Sequence, residues 1–181
     1  MTAPPAIRQD LLDYLTKYAN ETDVVHRFLK LLEHPDAFQR THLPGHITGS
    51  AFIVSEDFSH TLLVHHAKLN RWLQPGGHAD GDTDVLRVAT REANEETGVI
   101  RLEAVTRDVI DLDIHPIPER KDFGRHDHYD IRYLFKASMT DRVVVSEESH
   151  DVRWVSLDEL EQYNAEPSLL RLREKLPDRT A

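Results

Sequence analysis

Apolar positions recur along this chain with two different periods, and the change from one to the other divides it. Ile7, Leu11, Leu12, Tyr14, Leu15 and Tyr18 fall at helical spacing, as do Val24, Val25, Phe28, Leu29 and Leu32, which predicts two amphipathic helices. Asn20 and Glu21 separate them, Thr22 is available as a cap, and His34 with Pro35 ends the second. This is the pattern of a helical hairpin set ahead of another fold, with an extension expected over 1–43 and a second unit over 44–181.

From about Thr48 the period shortens to two. Ala51 to Ser55 and Thr61 to His65 read as an antiparallel pair around the turn-like Glu56, Asp57 and Phe58. A helix is expected from about Thr83 to Thr97, with Thr83 as N-cap and Gly98 in the left-handed position after the last turn. Leu86, Ala89 and Ala93 give it a narrow apolar stripe, and the alanines allow close approach to a sheet. Strands are expected over Ala104 to Ile114, His126 to Lys136, Val143 to Val145 and Val152 to Val155, and helices over Leu157 to Tyr163 and Pro167 to Lys175. Strands on both sides of a central helix predict an α+β fold in which helices sandwich a mixed sheet. The segment from Pro116 to Arg125, with two prolines, a glycine and five charges, is expected to be an exposed loop.

Composition narrows the function classes. A net charge of -10 works against attraction to nucleic acid polymers or an anionic membrane, so a small anionic substrate would need a bridging cation. The absence of cysteine excludes thiolate metal sites and a thiol nucleophile. No apolar run approaches the roughly 18 residues that span a bilayer, and charges interrupt the N-terminus, so a cytoplasmic location is expected. A homodimer is the default expectation for a soluble assembly.

The most informative stretch runs from Gly76 to Val99. Glu92, Glu95 and Glu96 stand at i, i+3 and i+4, so three carboxylates share one stripe of the predicted helix. Such like-charge pairs each cost about a few tenths of a kcal/mol, which a divalent cation preferring carboxylate oxygens would convert into a ligand set. In the strand from His126, the residues His126, His128, Asp130 and Arg132 alternate with Tyr129, Ile131, Tyr133 and Phe135. Period two sends the first set to one face, where Arg132 could bind phosphate and the two histidines a metal or a polar head group.

The spacing in Gly76 to Val99 resembles the Nudix box, G-x5-E-x7-R-E-U-x-E-E-x-G-U, aligning Gly77, Arg91, Glu92, Ala93, Glu95, Glu96, Gly98 and Val99. One position departs: Thr83 replaces the first glutamate, with Asp80, Asp82 and Asp84 nearby as substitutes. The resemblance covers Gly45 to Tyr163 and implies a Nudix-type α/β/α sandwich. It implies Mg²⁺, or Mn²⁺, held by Glu92, Glu95, Glu96 and the carbonyl of Gly76, with Arg91 orienting a carboxylate. It also implies hydrolysis of a phosphoanhydride in a nucleoside diphosphate linked to another moiety, with Glu95, Glu96 or Glu148 taking a proton. Glu148 qualifies because it precedes Trp154 by six residues, where some Nudix enzymes carry a loop glutamate. His78 follows Gly77 and is expected to point toward the metal, as a box-loop histidine does in the isopentenyl-diphosphate isomerases; their catalytic cysteine has no counterpart here. The alternative is a catalytically silent domain that senses a nucleotide.

Overall fold

Helices form at both ends of the chain and a mixed sheet between them in a computed structural model that describes residues 5–119 and 124–177. The predicted hairpin is present as α1, Pro5–Lys17, and α2, Thr22–Leu31, joined by a 3-10 turn at Ala19–Glu21. Thr22 does not cap α2. It is the helix's first residue, and its hydroxyl donates back to the Ala19 carbonyl at 2.8 Å. Val25, Phe28 and Leu32 are fully buried, in one cluster with Ile47, Val88 and Ile131, so the hairpin is packed onto the sheet. Phe28 meets Tyr129 edge to face at 5.2 Å.

The strands are β1 Gly45–Ser55, β2 His60–His66, β3 Arg71–Leu73, β4 Gly76–His78, β5 Glu103–Ile117, β6 His126–Ala137 and β7 Ser149–Ser156. β1 begins six residues before the predicted Ala51. Every one of its residues is buried, so the polar His46, Thr48 and Ser50 at its start lie inside the molecule rather than on a solvent face, and the continuous apolar run begins only at Ala51. β1 runs parallel to β6 and antiparallel to β2, while β5 lies antiparallel to β6 and β7 to β2. β1 and β2 stay paired at Ile53 and Val54, then splay. β3 continues along β2 and β4 along β1, filling the fork; β3 and β4 are too short to show a period.

The central helix, α3, spans Val85–Thr97 and ends at Gly98 with φ 70°, as expected. Its cap is Asp84 rather than Thr83: the Asp84 carboxylate accepts from the Arg87 amide at 3.1 Å. Val85, Val88, Ala89 and Ala93 form the buried stripe, and Leu86 is only partly covered. The expected strand at Val143 to Val145 is absent. Instead Val144 donates its amide to the Thr97 carbonyl at 2.7 Å and closes the C-terminal end of α3. The helix expected from Leu157 shrinks to α4, Leu160–Tyr163, and α5 spans Pro167–Glu174. The segment Pro116 to Arg125 contributes its first two residues to β5, and its centre lies outside the described residues.

α3 covers one face of the sheet and α5 packs on the other, with a second apolar cluster around Phe52, Leu134 and Leu172. This is the α/β/α sandwich of the predicted α+β class. Among the described residues no helix is long and apolar enough to cross a membrane.

Candidate active site

Three residues of β4 bring the conspicuous glutamates under control. Gly77 pairs with Gly49 of β1, and a Cβ on Gly77 would lie 2.5 Å from the Glu92 carboxylate. Only a glycine lets Glu92 fold flat against the strand. The Gly76 amide donates to Glu96, so the backbone of β4 holds one carboxylate and the missing side chain of β4 makes room for another.

Glu92 and Glu96, one helical turn apart, point to this edge of β4 together. Arg91 holds Glu92 at 2.7 Å and donates to the His78 carbonyl at 3.0 Å, which fastens α3 to β4. Burial pushes Glu92 above the ordinary carboxylate range, partly opposed by Arg91. Burial pushes Glu96 up to about 8, and the charges of Glu92 and Glu148 add to the shift while the Gly76 amide opposes it. Glu148, on the loop before β7, thus acts on Glu96 by its charge; its own carbonyl is anchored by the Ala67 amide at 2.9 Å. Glu95 is more open, with a side chain 59% exposed and a 3.4 Å contact to Arg91, and its charge also raises Glu92 and Glu96.

Thr83 is exposed and takes no part in these contacts. Of its acidic neighbours, Asp84 caps α3 and Asp82 pairs with Arg87 at 2.6 Å. Asp80 pairs with Arg40, and the charges of both reach Glu92 or its neighbours: Asp80 raises Glu92, and Arg40 feels Glu92 and Glu148. Among the described residues Arg91 bonds to none of the three aspartates.

The polar face of β6 lies on the other side of the sheet. A Cβ on Gly49 would sit 2.9 Å from Val85, so Gly49 faces α3 and its neighbours Thr48 and Ser50 face away. Both donate to Asp130, at 3.0 and 2.7 Å. Arg132, expected to bind phosphate, is 3% exposed and engaged by Asp130 at 2.8 Å, Asp111 at 3.1 Å, Asp113 at 3.2 Å and the Ser168 carbonyl at 2.6 Å. Internal carboxylates and a backbone carbonyl take its donors, in place of the expected phosphate.

His126 and His128 also lie on this face, where they meet His46 and His78. His46 stacks on His126 with centroids 5.0 Å apart and lies 5.0 Å from His128 and 5.2 Å from His78. Burial, followed by neighbouring positive groups, pushes His78 down to about 4 and His128 down to about 2. Both are neutral at physiological pH. His78 was expected to face the metal-bearing helix; its ring instead joins this opposite cluster, and only its carbonyl reaches α3. Sequence reasoning missed His46 and Arg40. The alternation of His46, Thr48 and Ser50 was a signal for His46, hidden because β1 is buried throughout.

A NUDIX-domain family model matches residues 45–176. A probable DHNTP pyrophosphohydrolase of Lactococcus lactis subsp. cremoris (strain MG1363) is 30% identical over 92 residues, 50% of this chain and 53% of that protein. The chain thus spans about half the length of that curated relative. Among solved structures, a C. elegans Ap4A hydrolase binary complex superposes with a TM-score of 0.58 at 21% identity, covering 71% of this chain and 93% of the other. A NUDIX-family hydrolase from Clostridium perfringens gives 0.58 at 22%, covering 72% and 95%. The E. coli dihydroneopterin triphosphate pyrophosphohydrolase gives 0.56 at 12%, covering 72% and 93%. These likenesses show the fold, and with the family match over most of its length the chain belongs to the Nudix family.

Proposed function

We propose that the protein is a divalent-cation-dependent hydrolase that cleaves a phosphoanhydride bond in a nucleoside diphosphate linked to another moiety. The observation that carries this reading is the pair Glu92 and Glu96 at the Gly-Gly strand, with the charge of Glu148 acting on it. Burial and then the repulsion of Glu92 and Glu148 hold Glu96 at about 8, a cost that a cation would relieve. The donors are hard oxygens, which suits Mg²⁺ or Mn²⁺.

Glu92 and Glu96 would hold the ion, with the Gly76 carbonyl as a further oxygen donor; Glu95 is more exposed and contributes less. When bound, the cation supplies neutralisation of the diphosphate charge and acidifies water. Arg91 keeps Glu92 in place through the 2.7 Å pair, and the Gly76 amide does the same for Glu96. Glu148 accepts the proton as water attacks phosphorus and the P–O–P bond breaks. Asp80, paired with Arg40 and acting by its charge on Glu92, is the candidate substitute for the missing box glutamate.

The test is a product-release screen with Mg²⁺ or Mn²⁺ over nucleotide sugars, dinucleoside polyphosphates, coenzyme diphosphates, oxidised nucleotides and dihydroneopterin triphosphate. Glu96→Gln should lower turnover of any hit by roughly 100-fold or more, and Glu95→Gln by roughly tenfold or less, on the scale of losing one charge-stabilising group. Undiminished turnover in Glu96→Gln would remove the metal site. Tight nucleotide binding with no turnover across the panel would favour the sensing role instead.

A further inference from the structure

We propose that His46, His78 and His128 form a second metal site, for a transition-metal ion of the Zn²⁺ class, on the sheet face turned away from α3. One ring nitrogen from each lies within 4.8 Å of the other two. The three come from three strands, and the register brings them together: His46 pairs with His128 across β1 and β6, and His78 pairs with Thr48 across β4 and β1.

Two buried nitrogens in this group have no hydrogen-bond partner: Nε2 of His46 and Nε2 of His128. Such orphaned buried atoms are uncommon and call for an explanation. For His46 the tautomer follows from its other nitrogen. Nδ1 faces the His42 carbonyl at 3.3 Å, and a carbonyl only accepts, so Nδ1 carries the proton and Nε2 presents a lone pair. Orientation of a ligating imidazole by a carbonyl on its far nitrogen is the usual outer arrangement at metal sites. His46 is fully buried and enclosed by the other rings, with His126 stacked against it. His115, tied to Asp113 at 2.9 Å, backs His128 with centroids 5.4 Å apart.

The donor chemistry separates this site from the glutamates. Three imidazoles suit Zn²⁺ and its neighbours in the transition series and do not suit Mg²⁺, which takes oxygen. Tetrahedral Zn²⁺ with three imidazoles places their nitrogens roughly 3.4 Å apart and leaves a fourth position open. No pair therefore has to close by more than roughly 1.4 Å on binding. β4 is the wall between the two sites: Gly77 opens toward Glu92 on one side and the His78 ring stands on the other. The site does not depend on the hydrolase reading.

The experiment uses the untagged full-length protein, stripped with chelator and titrated with Zn²⁺ by calorimetry and with Co²⁺ by visible absorption. One equivalent of Zn²⁺, and the intense d–d bands of a four-coordinate Co²⁺ site, are expected in the wild type. Both should persist in Glu92→Gln, which alters only the carboxylate cluster. His78→Gln and His128→Gln should each weaken Zn²⁺ binding by more than about 100-fold, beyond the loss usual for an outer partner. Unchanged affinity in both folded variants, or loss of Zn²⁺ binding in Glu92→Gln, would overturn the site. X-ray absorption at the zinc edge of the wild type needs no variant: three imidazole shells are expected, and an oxygen-only shell would also overturn it.

Discussion

Glu96 shows how one side chain carries both the cost and the use of the site. Its ordinary value of 4.5 rises to about 8, first through burial and then through Glu92 and Glu148. Between these values the unfolded chain has released the proton while the folded chain keeps it, so stability falls as pH rises through that window. In metal-free buffer, Glu96→Gln should therefore raise Tm above wild type by more at about pH 8 than at about pH 5. Equal shifts at both pH values, followed by thermal denaturation, would contradict the burial argument. Glu148 differs in being exposed and in a loop, where its removal disturbs little packing. Glu148→Gln should lower turnover by roughly 10²–10⁴-fold, the range for a general base, with the fold intact by circular dichroism; wild-type turnover would take it out of the mechanism.

The elements depend on local chemistry that is partly visible in the sequence. The Nudix helix was recognisable because its glutamate spacing, apolar stripe and terminal Gly98 are all properties of a single segment. Its first residue was not, because Thr83 and Asp84 are both good caps and only the backbone path decides between them. Asp84→Ala should cost about 1 kcal/mol, the usual value of a lost N-cap, while Thr83→Ala should be near neutral. Urea denaturation of the pair distinguishes these outcomes, and a larger loss at Thr83 would reverse the assignment. The same limit explains Val143 to Val145, where β-type residues serve a helix end because Val144 finds the Thr97 carbonyl. β3 and β4 are invisible at this level because three residues carry no period, and their pairing depends on the fork between β1 and β2.

Across the molecule, one buried charge network ties the layers together. Asp111 of β5 is fully buried and accepts from Arg132 at 3.1 Å, Arg171 at 2.8 Å and Lys175 at 2.6 Å. Lys175 also reaches Glu21 at 2.6 Å and the Tyr14 hydroxyl at 2.7 Å, so the residue that follows α5 joins the N-terminal hairpin to Asp111 of the edge strand β5. Although burial opposes it, the hydrogen bond from His115 and the charges of Arg132 and Arg171 hold Asp113 far below the ordinary carboxylate range. Removing one partner from such a network leaves the others uncompensated. Asp111→Asn should destabilise the fold by about 3–5 kcal/mol, measured by chemical denaturation; a change below about 1 kcal/mol would show that the network is dispensable.

The order of residues alone carried the family, the class of fold, and the central helix with its glutamate spacing, because each rests on spacing within one continuous segment. Where the histidines and Arg132 belong could not be read that way. Period two places His126, His128 and Arg132 on a common face, yet which layer covers that face depends on pairing among β1, β4, β5 and β6. Only the folded sheet turns Arg132 toward buried aspartates and away from Glu92. Only it brings His46, His78 and His128, far apart in the chain, to one point. Contacts between distant strands are set by register and by which face meets which helix, and neither is a property of any segment alone.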